Sequence, residues 1–201
     1  MNNDYADHLG HMLDGMMTAT EPRIVALLPA AFLEAILVQL IIAKLPTIRH
    51  KIRTRLFDGD GALSTLAAKI DMAEAVGSVD EKWHSMAILL ARVRNRFAHR
   101  IDIRDFDHRE IVSLVQKMDA LNRAEVPRIW QQGEWKVLAN DNNEGRFIHA
   151  AISICGKSVS ILTGLENFDL KQQLRDAPET FRTISFQRSH SGREARDLKA
   201  K

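Results

Sequence analysis

Apolar residues along this chain recur at three- and four-residue spacings and strict alternation is scarce, so the pattern predicts an all-α protein. The longest apolar run, Ile24 to Leu45, is apolar on most faces and predicts a long, buried central helix. Thr20-Glu21-Pro22 reads as its start, with proline at an early position where the missing N–H does no harm. A kink is expected near Pro29, and Pro46 ends or bends the helix. A shorter helix is expected ahead of it, from about Asp4 to Met17.

Downstream, Phe57-Asp58-Gly59-Asp60-Gly61 is a strong loop signal. Leu63, Leu66, Ile70, Ala73 and Val76 form the stripe of a helix over 63–76, with Ser64 and Thr65 as start residues and Gly77 at its stop. Asp80 caps the next helix, which carries Trp83, Ala87, Leu90 and Arg94 along one face and ends near His99. Asp107 is expected to cap another, running to about Arg123, and Pro127 breaks it. Residues 130–143 read as irregular. Phe147 to Leu165 reads as a last core helix, with a strand pair as the alternative. The expected architecture is therefore a helical bundle in a single domain over 1–170. Residues 171–201 are polar, basic and nearly core-free, a pattern expected of a loose tail.

Length and composition agree with one domain: 201 residues, 45% of them hydrophobic, provide material for a sizeable core. The central run would be long enough to cross a bilayer, but Pro29, Glu34 and Gln39 interrupt it, and a mid-span carboxylate is costly in lipid. A core helix is the better reading, with no membrane partner. The polar, acidic start is unlike a signal peptide. A single cysteine, Cys155, excludes an internal disulfide and a paired-cysteine zinc site. A cytoplasmic location follows as the expectation. Net charge is +2, too balanced to announce a nucleic-acid binder. The basic cluster from Arg49 to Arg55 and the arginines between Arg92 and Arg104 read first as solvated faces, balanced in part by Asp102, Asp105 and Asp107.

One segment carries chemistry: Arg94-Asn95-Arg96-Phe97-Ala98-His99. An imidazole can move the proton of a ribose 2′-OH or of a leaving group near neutrality. A guanidinium can hold a phosphate and the charge that builds on it. A neighbouring amide can orient either group. Together, Arg94, Asn95 and His99 are candidate catalytic residues for RNA cleavage that needs no metal or cofactor. Arg92, Arg96 and Arg100 are candidate contacts to nucleic acid or to a protein partner. With 18 arginines and 8 histidines, an Arg five residues before a His is expected about 0.7 times by chance. Asparagine after the arginine makes the coincidence much rarer. The competing reading is structural, since cations in the last turns of a helix complement its dipole. Positions 95 and 99 share a helix face, whereas 94 lies on another. Hence Arg94 and His99 cooperate only if the helix ends between them or two copies face each other. Other clusters carry less: His8 and His11 lack an assembled ligand set, the Asp58–Gly61 loop lacks the later ligands of a calcium loop, and Cys155 sits among apolar neighbours. Glu34 is an unusual carboxylate for so apolar a helix, and a pairing with Arg94 is expected.

The run from Leu56 to Gly77, with its Phe57-Asp58-Gly59-Asp60-Gly61 loop, together with Arg94-Asn95-x-Phe97-Ala98-His99, resembles the mannitol operon repressor family over roughly residues 20–125. The second motif also resembles the wider HEPN group of helical domains, many of them ribonucleases or toxin components. Departures are Ala62 where the family has proline, and Lys69 and Glu74 where it often has Arg and Tyr. The resemblance implies a HEPN-like bundle, self-association as a homodimer and a role in transcriptional regulation. Sequence-specific DNA reading is not expected. The would-be recognition helix opens with Asp80 and Glu81 and then becomes too apolar to lie in a groove. Regulation through protein partners is the first expectation. A metal-independent endoribonuclease is the alternative, with RNA as substrate and an antitoxin as partner if its activity is toxic.

Overall fold

A computed structural model describes residues 4–45, 47–123 and 142–164. Within them the chain forms seven helices: α1 (Asp4–Thr18), α2 (Pro22–Lys44), α3 (His50–Phe57), α4 (Leu66–Ala75), α5 (Glu81–His99), α6 (Arg109–Arg123) and α7 (Asn143–Thr163). No strand occurs among the described residues, so the expected all-α bundle is the observed architecture.

The central helix is α2. It packs against α1, α4, α5 and α7, and α7 in turn packs against α1, α5 and α6. Val25, Ala26, Leu33, Leu37 and Ile41 of α2 are buried, as are Phe147, Ala151, Ile154 and Cys155 of α7. By length and composition α2 could cross a membrane. In this bundle about half of that stretch is buried, against other helices. Helical structure runs without interruption through Pro29. The Cys155 thiol is fully buried and donates to the Pro29 carbonyl at 3.7 Å. Burial pushes its pKa up, which suits a packing role.

Local signals set most helix ends. Pro22 opens α2 behind the extended Glu21. Thr65 Oγ1 accepts from the Ala68 N–H at 3.2 Å and starts α4, three residues after the point its apolar stripe suggested. Asp80 Oδ1 accepts from the Trp83 N–H at 2.7 Å and starts α5. Gly77 has the positive φ (69°) that the α4–α5 turn requires. The turn is pinned to the core by Ser78 Oγ, which donates to the Leu40 carbonyl at 3.3 Å. Residues 147–163 are helical, not a strand pair, and α7 begins earlier than expected because Asn142 Oδ1 accepts from the Gly145 N–H at 2.8 Å.

Two expectations are corrected. The segment from Arg49 to Arg55 is not merely a basic stretch: His50–Phe57 forms α3, which closes on the buried Phe57. Asp107 does not cap α6. The first α6 turn closes onto the His108 carbonyl, which accepts from the Ile111 and Val112 N–H groups at 2.8 and 3.0 Å. The Asp107 carboxylate instead accepts from Asn143 Nδ2 at 2.7 Å. Most of the expected irregular segment, residues 130–141, and the expected tail at 171–201 lie outside the described residues.

Candidate functional site

The C-terminal half of α5 presents two opposed faces. Leu90, Val93 and Phe97 recur at helical spacing and are completely buried. Phe97 packs at a tilt against Phe106 with ring centroids 4.9 Å apart, and Phe106 packs likewise against Phe147 at 5.0 Å. These three rings lock the end of α5 to the loop after it and to α7. Aromatic pairs in this geometry add to the stabilisation from burial alone. At the other end of α5, Trp83 Nε1 donates to the Ile154 carbonyl at 3.3 Å, and Lys157 Nζ pairs with Asp80 at 2.7 Å. The helix is thus anchored at both ends, and its outer face is held in a fixed orientation.

Arg92, Asn95, Arg96 and His99 occupy that outer face, at positions i, i+3, i+4 and i+7, and all four are exposed. Among the described residues, no hydrogen bond or ion pair engages the side chain of His99 or Arg92. Arg94 is half-buried at the margin of the face. Its Nη1 donates to Asn95 Oδ1 at 3.0 Å, which draws the guanidinium toward the outer face. Asn95 and His99 are one turn apart, a rise of about 6 Å. The three candidate catalytic residues therefore border one surface, although Arg94 and His99 leave the helix in different directions.

Because α5 runs to His99, the helix does not end between Arg94 and His99. Of the two routes to cooperation, the one requiring a break is removed. The expected pairing of Arg94 with Glu34 is also corrected. Glu34 Oε1 accepts from Lys69 Nζ at 2.7 Å, and Lys69 also donates to the Ser64 carbonyl at 3.0 Å. Glu34 projects from α2 toward α4, so Arg94 has no structural carboxylate in the core to hold.

The other two candidate contact residues are committed elsewhere. Arg100 grips Asp102 with both arms of its fork, at 2.9 Å through Nε and 2.8 Å through Nη2. The guanidinium holds the Asp102 carboxyl at about 2, and the two acids raise Arg100 in return. Glu110 bridges the pair to Arg96, accepting from Arg100 Nη1 at 3.4 Å and lying 3.1 Å from Arg96 Nε. Arg23 Nη2 donates to the Arg100 carbonyl at 3.2 Å and brings the start of α2 to the same corner. The net effect is a neutralised rim beside two uncommitted groups, Arg92 and His99. Sequence spacing could have located Asp102 two residues from Arg100. Glu110 was not legible as their partner, because the 100–108 loop sets its position.

Among the described residues, no group of three or more His, Cys, Asp or Glu is assembled that could hold a metal ion. His8 and His11 are exposed on α1. No family model, curated protein or solved structure matches this chain.

Proposed function

We propose that the outer face of α5 is half of a metal-independent RNA-cleaving site, completed by a second copy of the chain about a twofold axis. The observation that carries this reading is His99. It is exposed and without a partner among the described residues, one turn from an Arg94–Asn95 pair that no core carboxylate claims. Residues diverging on one continuous helix converge when two such helices face each other, since a twofold axis duplicates each residue across the interface. Such a protein would act in the cytoplasm as a homodimer.

The chemistry follows from the groups. One His99 imidazole accepts the proton of a ribose 2′-OH, whose oxygen attacks the adjacent phosphorus. The bond from phosphorus to the 5′-oxygen breaks, and His99 of the partner subunit, protonated beforehand, gives that oxygen its proton. The products are a 2′,3′-cyclic phosphate and a 5′-hydroxyl. Arg94 holds the phosphate and stabilises its growing charge, and Asn95 fixes the guanidinium. The test is incubation of the purified full chain with end-labelled RNAs in excess chelator. Cyclic-phosphate ends are expected, and His99→Ala or Arg94→Ala should lower the rate by about 10²-fold or more. Cleavage that persists in both variants, or no cleavage of any RNA, refutes the assignment.

A second reading is a regulator of the mannitol-repressor type that works through a protein partner. It is favoured by the resemblance over residues 20–125 and by the packing of the α4–turn–α5 unit. Trp83, Met86, Leu89 and Leu90 of α5 are buried, so α5 cannot serve as a groove-reading helix without leaving the core. Sequence-selective, salt-resistant gel shifts with genomic DNA would count against this form of regulation.

A further inference from the structure

A second surface, separate from α5, also has polar groups without structural work. A cleft of about 660 Å³ opens between α2, α3 and the start of α4. One wall is a single stripe of α2: Ala31, Glu34, Ala35 and Val38, at i, i+3, i+4 and i+7. Facing it, with the same spacing, are His50, Arg53, Thr54 and Phe57 of α3. Two helix faces in register would ordinarily close on each other. Here α3 contacts its neighbours only sparsely. Two small alanines on α2 and polar residues on α3 leave the space open.

The cleft is chemically two-sided. Arg53 and the Asp58 carboxylate both line it, and among the described residues neither forms a hydrogen bond or ion pair through its side chain. At the floor, Lys69 is buried and spends two of its three N–H groups on Glu34 and Ser64. Glu34 engages Lys69 through Oε1, which leaves Oε2 to accept another donor. The permanent charges of the lining balance: Arg53 and Lys69 against Glu34 and Asp58. A purely anionic or purely cationic ligand would leave one sign unmatched. A molecule carrying both signs would satisfy both, and Val38 and Phe57 offer apolar contact to the remainder.

We propose that this cleft binds a small zwitterion of the amino-acid class, with Arg53 taking its carboxylate and Asp58, aided by Glu34, taking its ammonium. Guanidinium–carboxylate recognition is geometrically specific and stronger than a neutral hydrogen bond. Helix–helix clefts with a few convergent polar groups are a common setting for small ligands. The site is independent of the RNA reading, and either can fail without the other.

The test uses the full chain and the common L-amino acids at millimolar concentration, followed by thermal unfolding and calorimetry. At least one amino acid should raise the unfolding midpoint. Its N-acetyl form, which lacks the ammonium, and its amide, which lacks the carboxylate, should each bind about tenfold more weakly or worse. Arg53→Ala and Asp58→Asn should weaken binding similarly while leaving the ligand-free midpoint nearly unchanged, because neither side chain holds the fold. Ala35→Leu, which narrows the cleft from the α2 side, should block binding with both charges intact. The proposal is overturned if no free amino acid shifts the midpoint or gives heat. It is equally overturned if a blocked derivative binds as well as the free zwitterion, or if Arg53→Ala leaves affinity intact.

Discussion

The Glu34–Lys69 ion pair is lopsided, and the imbalance yields a sharp expectation. The two groups are 2.7 Å apart, but the Lys69 side chain is 5% exposed whereas Glu34 is 37% exposed. Removing one partner from a fully buried pair costs about 3–5 kcal/mol, because the other charge is left uncompensated in a medium that solvates it poorly. The cost should therefore depend on which charge is stranded. Glu34→Gln strands the buried ammonium with the Ser64 carbonyl and an amide oxygen as acceptors. Partial water access on the Glu34 side softens the loss to about 2–3 kcal/mol. Lys69→Met strands a carboxylate that water already reaches, and the methionine fills much of the vacated volume. That loss should be about 0–1 kcal/mol. In the double variant the ammonium is gone, so Gln at 34 should add little, giving a coupling of about 2–3 kcal/mol. Urea unfolding followed by circular dichroism, at constant m, measures all three. If Lys69→Met proves as costly as Glu34→Gln, or if the two changes simply add, the burial argument is wrong.

Two further stability predictions concern pH and capping. Burial lowers the His149 pKa, with Asp119 acting against the shift and Arg123 reinforcing it. The Asn122 amide also donates to His149 Nδ1 at 3.0 Å, a bond that protonation there would remove. The unfolded chain thus binds the proton more readily. Stability should be fully present above about pH 6.5 and decline as pH falls through the unfolded pKa toward the lower folded one. His149→Gln should flatten this part of the urea-midpoint profile, and an unchanged slope would contradict the assignment. Asp80→Ala removes both the α5 cap and the Lys157 partner. It should cost about 1–2 kcal/mol at neutral pH. Lys157 and the Trp83 N–H lower the Asp80 pKa, so its contribution is present above about pH 4 and is lost as pH falls through the folded value. Wild type and Asp80→Ala should therefore converge in acid, and a gap that persists there would count against the cap.

What the sequence determined by itself is local. The period of apolar residues made α2, α4, α5 and α6 legible, together with the inward face of each. Thr65, Asp80 and Gly77 announced helix ends because a cap or a left-handed turn acts within a few residues. Burial of Cys155 followed from its neighbours. The short helix α3 escaped, since its charge run reads as a solvated stretch and its anchor, Phe57, is one residue at its end. The Asp58–Gly61 loop was legible as a turn. The close approach of Gly61 to the carbonyl oxygens of Arg55 and Leu56, where a Cβ would clash, depends on how α3 ends and was not.

Partners were decided only in three dimensions. Glu34 was legible as an odd carboxylate, yet its mate is Lys69 rather than Arg94, because periodicity gives a helix face and not the rotation of its neighbour. Asp107 has the chemistry of a cap but meets Asn143 of α7 instead. The Arg94–His99 segment was visible as a string. Its exposure and its neutralised rim of Arg96, Arg100, Asp102 and Glu110 needed the bundle. A one-dimensional pattern specifies what each residue prefers to contact, and packing selects which of the acceptable contacts is within reach.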